Sequence, residues 1–212
     1  VKHRLPEVFP FLRQLKKGKK RYLKMRDSDL TRLSPAARAA RFIYLNRFCF
    51  NGIYRTNLEG KFNVPYGGTK SGKLPSDEVL ADCSRLLKRA KLIAGDFEEV
   101  LRHVQPRDFV YLDPPFLVGS RRVFREYNGA VFSTNDLKRL RSWLLRLDRL
   151  SVAFLLSYAE CREAHALAIG FYKRRVTVNR SIAGFADTRR TARELLISNI
   201  SPCKWRMNNH GN

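Results

Sequence analysis

Acidic residues are scarce in this sequence. Only 19 Asp and Glu stand against 42 Lys and Arg, a formal net charge of +23 over 212 residues. That imbalance argues against basic partners and makes a compact chain repel itself, so a polyanion is the expected counterpart. Nucleic acid comes first, because each basic contact to a phosphate releases a condensed counterion; anionic membrane surfaces come second. Cysteine is sparse too. Cys49, Cys83, Cys161 and Cys203 form no C-x-x-C pair and do not cluster with His3, His103, His165 or His210. A disulfide framework or zinc site is therefore unsupported, no metal is implied, and free thiols in a reducing cytoplasm are the simpler reading. No apolar run reaches transmembrane length and no signal-peptide pattern is present, which speaks against a membrane protein. Glycine is nearly missing from the start: Gly18 is the only one before Pro35. That excludes a glycine-rich nucleotide loop in the first 34 residues. The opening Val1, in place of Met, hints at a fragment.

What is present is a globular composition. The 44% hydrophobic content is ordinary, and the length suits one large domain or two small ones. Residues 1–33 are strongly basic around Lys16-Lys17-Gly18-Lys19-Lys20-Arg21 and read either as a solvated face or as a phosphate-contacting segment. Ser34-Pro35 marks a helix start, Ser as N-cap and Pro at the first position, with Ala39, Phe42, Ile43 and Leu45 expected inside. Residues 50–73 hold five glycines among Asn and Pro, the density of loops and a short hairpin. Arg55, Lys61, Lys70 and Lys73 alternate there with Tyr54, Phe62 and Tyr66, offering charge and stacking surfaces to nucleic acid. Gly67 to Lys73 nearly spells a phosphate-binding loop, but Leu74 replaces the magnesium-binding hydroxyl and no apolar strand leads in, so a turn is expected.

From residue 74 the rhythm is strand and helix. Ser76 can cap a helix with Asp77 and Glu78 in its first turn, and Val79, Cys83, Leu86 and Leu87 make one apolar face. Residues 91–95 read as a short strand, 97–103 as a short helix, and 109–112 as an apolar strand. Ser133 or Thr134 opens a helix with Leu137, Leu140, Leu144 and Leu147 at helical spacing. Residues 151–158 look like a strand covered on both faces. Residues 160–169 read as a helix, and 171–182 and 193–200 as two strands.

The most informative residues are Asp113-Pro114-Pro115-Phe116, which follow an apolar strand. In open α/β sheets, ligands bind at the carboxyl ends of strands. Two prolines fix the backbone before any ligand arrives. The exocyclic amino group of a base is a poor nucleophile, because its lone pair is spread into the ring. The Asp113 carboxylate and the Pro114 carbonyl could accept its two hydrogens and aim that lone pair at a methyl donor. Phe116 could stack on a base flipped from the duplex. The plainer alternative is a strand ending in an Asp-Pro turn.

These residues belong to an ordered set. Tyr44-Leu45-Asn46-Arg47, then Phe50-Asn51-Gly52-Ile53-Tyr54-Arg55-Thr56-Asn57, then Gly60-Lys61-Phe62-Asn63-Val64-Pro65-Tyr66-Gly67 precede Gly95-Asp96-Phe97 and Asp113-Pro114-Pro115-Phe116. Arg180-Ser181-Ile182, Thr188-Arg189-Arg190 and Glu194-Leu195-Leu196 follow. In this order the motifs resemble the Dam-like (D12 class) N6-adenine DNA methyltransferases, from about residue 35 to residue 200. The resemblance implies a Rossmann-like class I methyltransferase sheet behind a helical, loop-rich recognition region, with recognition in 1–77 and catalysis in 78–212. It implies transfer of a methyl group from S-adenosylmethionine to adenine N6 in duplex DNA. Catalysis would rest on Asp113, Pro114, Pro115 and Phe116, and the cofactor on Asp96, Phe97 and Asp113. Phe50 and Asn51 would wedge into the duplex. Ile53, Arg55 and Pro65 would lie against base edges, with Asn57 beside them, and Arg189 and Arg190 would touch phosphates. For Arg55 the physics agrees independently, since a guanidinium grips guanine bidentately in the major groove. The Asn-Gly-Ile-x-Arg pattern leans towards GATC, and the family's setting implies a bacterial or phage cytoplasm.

Two departures stand out. Phe116 replaces the family's more usual Tyr, which keeps the stacking face and loses the hydroxyl. The family's N-terminal Lys-containing segment and Phe-x-Gly-x-Gly cofactor loop are not found before Pro35, so central strands of the sheet would be missing. A fragment, a degenerate copy, or a split protein whose second chain supplies the loop are the explanations. The competing reading is a DNA-binding protein without catalysis.

Overall fold

The computed structural model describes residues 1–57, 59–117, 132–179 and 191–201. They fall into two compact units, one ending at Ile93 and the other beginning at Ala94.

The first unit is built on four helices: α1 (Leu5–Arg13), α2 (Lys19–Arg26), α3 (Pro35–Phe48) and α4 (Asp77–Lys88). The Ser34 hydroxyl caps α3 by accepting from the Ala37 amide at 3.2 Å. The buried face of α3 is Ala36, Ala40, Tyr44 and Phe48, flanked by Arg41 and Leu45. Sequence reading selected Leu45 rightly but Phe42 wrongly: that ring is 51% exposed and meets Tyr54 at 5.4 Å. Ala39 and Ile43 are half-buried. The alanines win the inner face because their small side chains admit Leu5, Val8 and Leu12 of α1 into one cluster with Ala36 and Ala40. Helix α4 starts where expected, with Ser76 accepting from the Val79 amide, but it buries Leu80 and Ser84. Val79 and Leu86 stay 52% and 60% exposed. Leu80 joins the α1–α3 cluster, and the Ser84 hydroxyl donates to the Val1 carbonyl at 3.0 Å. The neighbouring helix thus chose the narrower of two apolar faces.

The second unit is mixed α/β, with a four-stranded mixed sheet ordered β1-β2-β4-β3. The strands are β1 (Phe109–Leu112), β2 (Ala153–Ala159), β3 (Tyr172–Asn179) and β4 (Thr191–Ser198). β1 runs parallel to β2, with Leu112 opposite Leu156; β4 is antiparallel to both β2 and β3. Three helices accompany them: α5 (Phe97–Leu101), α6 (Thr134–Arg149) and α7 (Arg162–Leu167). Helix α6 opens with a reciprocal capping box between Ser133 and Asp136. Its Leu137, Leu140, Leu144 and Leu147 pack against Phe154, Leu156, Tyr158, Leu195 and Ile197 in the core.

The expected strand at 91–95 does not form. A strand exists only where its backbone groups find partners, and Leu92 and Ile93 lie exposed instead. The last two strands occupy 172–179 and 191–198; the second starts and ends slightly earlier than expected, while the 180–182 end of the first lies outside the described residues. Among the described residues no helix is long and apolar enough to cross a membrane.

Candidate active site and recognition loops

β1 points its carboxyl end directly into Asp113-Pro114-Pro115-Phe116. Asp113 and Pro115 are exposed, whereas Pro114 and Phe116 are half-buried. The exposed carboxylate can therefore meet a ligand, while the aromatic ring is held from behind. The holding group is Tyr158, on the neighbouring strand β2. It is fully buried, its ring lies 5.0 Å from that of Phe116, and its hydroxyl accepts from the Leu117 amide at 2.6 Å. Burial pushes the Tyr158 phenol up to about 12, so it stays protonated at neutral pH. Sequence reading missed Tyr158. The available signal was a tyrosine ending an otherwise apolar buried strand, since a buried phenol needs a polar partner.

Asp96 and Phe97 form a second corner of the same unit. Asp96 is the N-cap of α5: its Oδ1 accepts from the Glu98 amide at 2.9 Å and from Arg139 Nη2 at 2.5 Å. The Glu98 amide first, and then Arg139, hold the Asp96 carboxyl below the ordinary carboxylate range. Arg139 also reaches Glu98 and Asp136, and its guanidinium lies 4.9 Å over the Phe97 ring. Arg139 likewise lowers Glu98; for Asp136 the Ser133 hydroxyl is the main cause. Oδ2 of Asp96 remains an acceptor, and one face of Phe97 is taken by Arg139. These residues suit the adenine end of a nucleoside cofactor. The pattern Phe-x-Gly-x-Gly does not occur in the sequence.

In the first unit, residues 49–57 and 59–67 fold into a compact loop held by backbone bonds. Isolated bridges pair Cys49 with Tyr66 and Thr56 with Phe62. The Phe50 amide donates to the Pro65 carbonyl at 2.9 Å, and the Gly67 amide to the Phe48 carbonyl at 2.8 Å. Gly67 is required by close approach: a Cβ there would stand 2.6 Å from the Cys49 carbonyl oxygen. Phe50–Gly52 is a 3-10 turn with Asn51 at φ 54°, which leaves Asn51 exposed and Phe50 half-buried against the core. Ile53 and Arg55 are half-buried and Pro65 exposed. Arg55 is oriented by Asn63, whose Oδ1 accepts from Arg55 Nε at 2.9 Å. Asn57 builds the turn, its Oδ1 accepting from the amides of Glu59 and Lys61. A cleft of about 540 Å³, lined by Asn46, Arg47, Asn51 and Gly72 among others, opens beside this loop. Gly68–Lys70 is a single 3-10 turn, as expected of the near-P-loop. Arg189 and Arg190 lie outside the described residues.

The α/β unit thus presents an acidic, proline-fixed, aromatic tetrapeptide at a strand's carboxyl end, in a chain whose other unit is helical and loop-rich. Comparison with known proteins is more specific. Residues 2–182 match the D12 class N6 adenine-specific DNA methyltransferases, and the chain belongs to that family. It is 33% identical over 193 residues to the type II methyltransferase M1.LlaDCHI of Lactococcus lactis subsp. cremoris, covering 88% of this chain and 68% of that protein. It is 36% identical over 189 residues to the type II methyltransferase M.MjaIII of Methanocaldococcus jannaschii, covering 86% and 65%. To the DNA adenine methylase of Haemophilus influenzae it is 29% identical over 164 residues, covering 76% and 57%. The chain thus spans about two thirds or less of the length of these relatives.

Proposed function

We propose that this protein transfers a methyl group from S-adenosylmethionine to N6 of adenine in duplex DNA, on a Rossmann-like sheet of which β1 and β2 are part. The observation that carries the reading is the position of Asp113-Pro114-Pro115-Phe116 straight off β1, with Phe116 braced by Tyr158. Asp113 and the Pro114 carbonyl accept the two N6 hydrogens. Phe116 stacks on the flipped adenine. The cofactor, when bound, supplies a methyl carbon on a sulfonium sulfur that departs as a neutral thioether. The N6 lone pair forms the new bond, and the displaced proton leaves through the Asp113 carboxylate to water. Asp96 Oδ2 and Phe97 receive the cofactor's adenine, and Asp113 also contacts the cofactor.

Recognition falls to residues 1–77. Asn51 and Phe50 wedge at the vacated position, Arg55 and Ile53 read base edges together with Pro65, and Asn57 holds the loop in shape. Arg189 and Arg190 take phosphates. GATC is the sequence favoured by the Asn-Gly-Ile-x-Arg pattern.

The test is incorporation of labelled methyl into unmethylated duplexes with and without GATC. Asp113→Ala should lower the rate about a hundredfold to a thousandfold, the usual effect of removing one preorganised polar group, without weakening duplex binding. Equal rates in parent and variant would contradict the assignment.

A second reading is a split or inactive DNA-binding protein. It is favoured by the edge position of β1 in the described sheet, where Phe109 and Tyr111 are each 58% exposed. A second chain could add strands at this edge. Methyl transfer that appears only when such a chain is added supports the split form; duplex binding without transfer under any condition supports the inactive one.

A further inference from the structure

Helix α2 carries charge that works against its own stability. Its first turn contains no acidic residue; Lys19, Lys20 and Arg21 stand there, at the positive end of the helix dipole. Lys20 and Lys24 are one turn apart, a like-charge pair that weakens an isolated helix. All four cations are exposed and form no ion pair among the described residues. The acid next to the helix, Asp27, is taken by Arg26 at 2.8 Å.

The helix is nevertheless fixed to the unit. Tyr22 is fully buried; its hydroxyl donates to the Val64 carbonyl at 2.9 Å and its ring meets Tyr66 at 5.3 Å. Buried Arg41 closes the far end, donating from Nε to the Met25 carbonyl and from Nη2 to the Arg26 carbonyl, both at 2.6 Å. Just before the helix, Lys17 donates to the Thr69 and Ser71 carbonyls. The cations are therefore held in a set relation to the loop that contains Pro65.

We propose that α2 is a phosphate-contacting helix, with Lys19, Lys20 and Lys24 neutralising backbone phosphates beside the bases read by the 50–65 loop. This rests on the DNA reading above and adds a contact surface to it. Duplex nucleic acid is favoured over an anionic membrane because α2 offers no apolar residue for insertion: Leu23 and Met25 are packed against the core. A fixed row of cations without acid between them suits the regular charge of a duplex backbone.

The experiment measures duplex affinity against salt for the protein and for K19Q/K20Q/K24Q. Three lost phosphate contacts should make the log–log salt slope shallower by roughly two to three. Affinity should fall equally for GATC-containing and unrelated duplexes, since phosphates carry no sequence. The variant should melt no lower than the parent, because like-charge repulsion is relieved. A parental slope in the variant, or a loss confined to one sequence, overturns the proposal while leaving the DNA reading standing. Lysine-dependent binding to phosphatidylserine vesicles in place of duplex also overturns it. A parent protein that binds no duplex at any salt sinks both.

Discussion

Tyr158 shows how much of the site depends on one side chain that would itself touch no substrate. It gives Phe116 a surface to lean on and gives the Leu117 amide an acceptor, so it fixes the tetrapeptide from both ends of its own side chain. Tyr158→Phe keeps the ring and removes the acceptor. The expected cost is about 1–2 kcal/mol of stability, for a part-buried amide left unpaired, with slower methyl transfer and unchanged duplex affinity. Denaturant melts and single-turnover rates check this; an unchanged turnover rate would make the tyrosine merely structural. The phenol also sets an alkaline limit. Its folded pKa of about 12 lies above the ordinary value of 10, so its contribution is complete below pH 10 and is lost as pH rises from 10 to 12. The phenylalanine variant should lack that loss.

At the scale of elements, Arg139 of α6 ties itself to the start of α5 through Asp96 and Glu98. Asp96, Glu98 and Asp136 all have lowered pKa values. Stability from lowered carboxylates is present above their unfolded pKa, about 4, and is lost as pH falls through the folded values. The difference in melting temperature between the protein and Arg139→Ala should therefore be greatest near neutrality and should shrink in acid. A difference that grows in acid would show that the ion cluster is not its source. In the other unit, Arg41→Ala should cost about 2 kcal/mol, the loss of charge-assisted bonds to the carbonyls ending α2. Hydrogen exchange in residues 19–26 should speed up, and protection equal to the parent's would contradict that role.

Elements also show what the sequence could disclose. Helix α6 was legible because its cap residues and leucine spacing are local, and the same holds for the Ser34 and Ser76 caps. The inner face of α4 was not, since Val79, Cys83 and Leu86 form as good a stripe as the one actually buried; the choice was made by α1, remote in sequence. Residues 91–95 have strand composition but no partner, and pairing is a property of the whole sheet. In the site, Asp113 to Phe116 could be read directly because the motif is contiguous. Tyr158 and Arg139 could not, because their roles arise only when β2 lies beside β1 and α6 reaches α5.

At the scale of the molecule, the charge of +23 suits a polyanionic partner. The helix α2 cations, Arg55 and the basic loops belong to one unit, and the strand-end carboxylate belongs to the other. Charge of this size predicts duplex affinity that falls steeply with ionic strength, whatever the base sequence. The Asp113 site predicts a chemical outcome that charge alone cannot give. The most direct measurement is therefore the identity of the product: incubate the protein with S-adenosylmethionine and unmethylated duplex, digest the DNA, and analyse the nucleosides by mass. The account predicts N6-methyldeoxyadenosine from the protein, supplemented with the second chain if the split form holds, and almost none from Asp113→Asn. A methyl group on cytosine, or on adenine irrespective of Asp113, would contradict it.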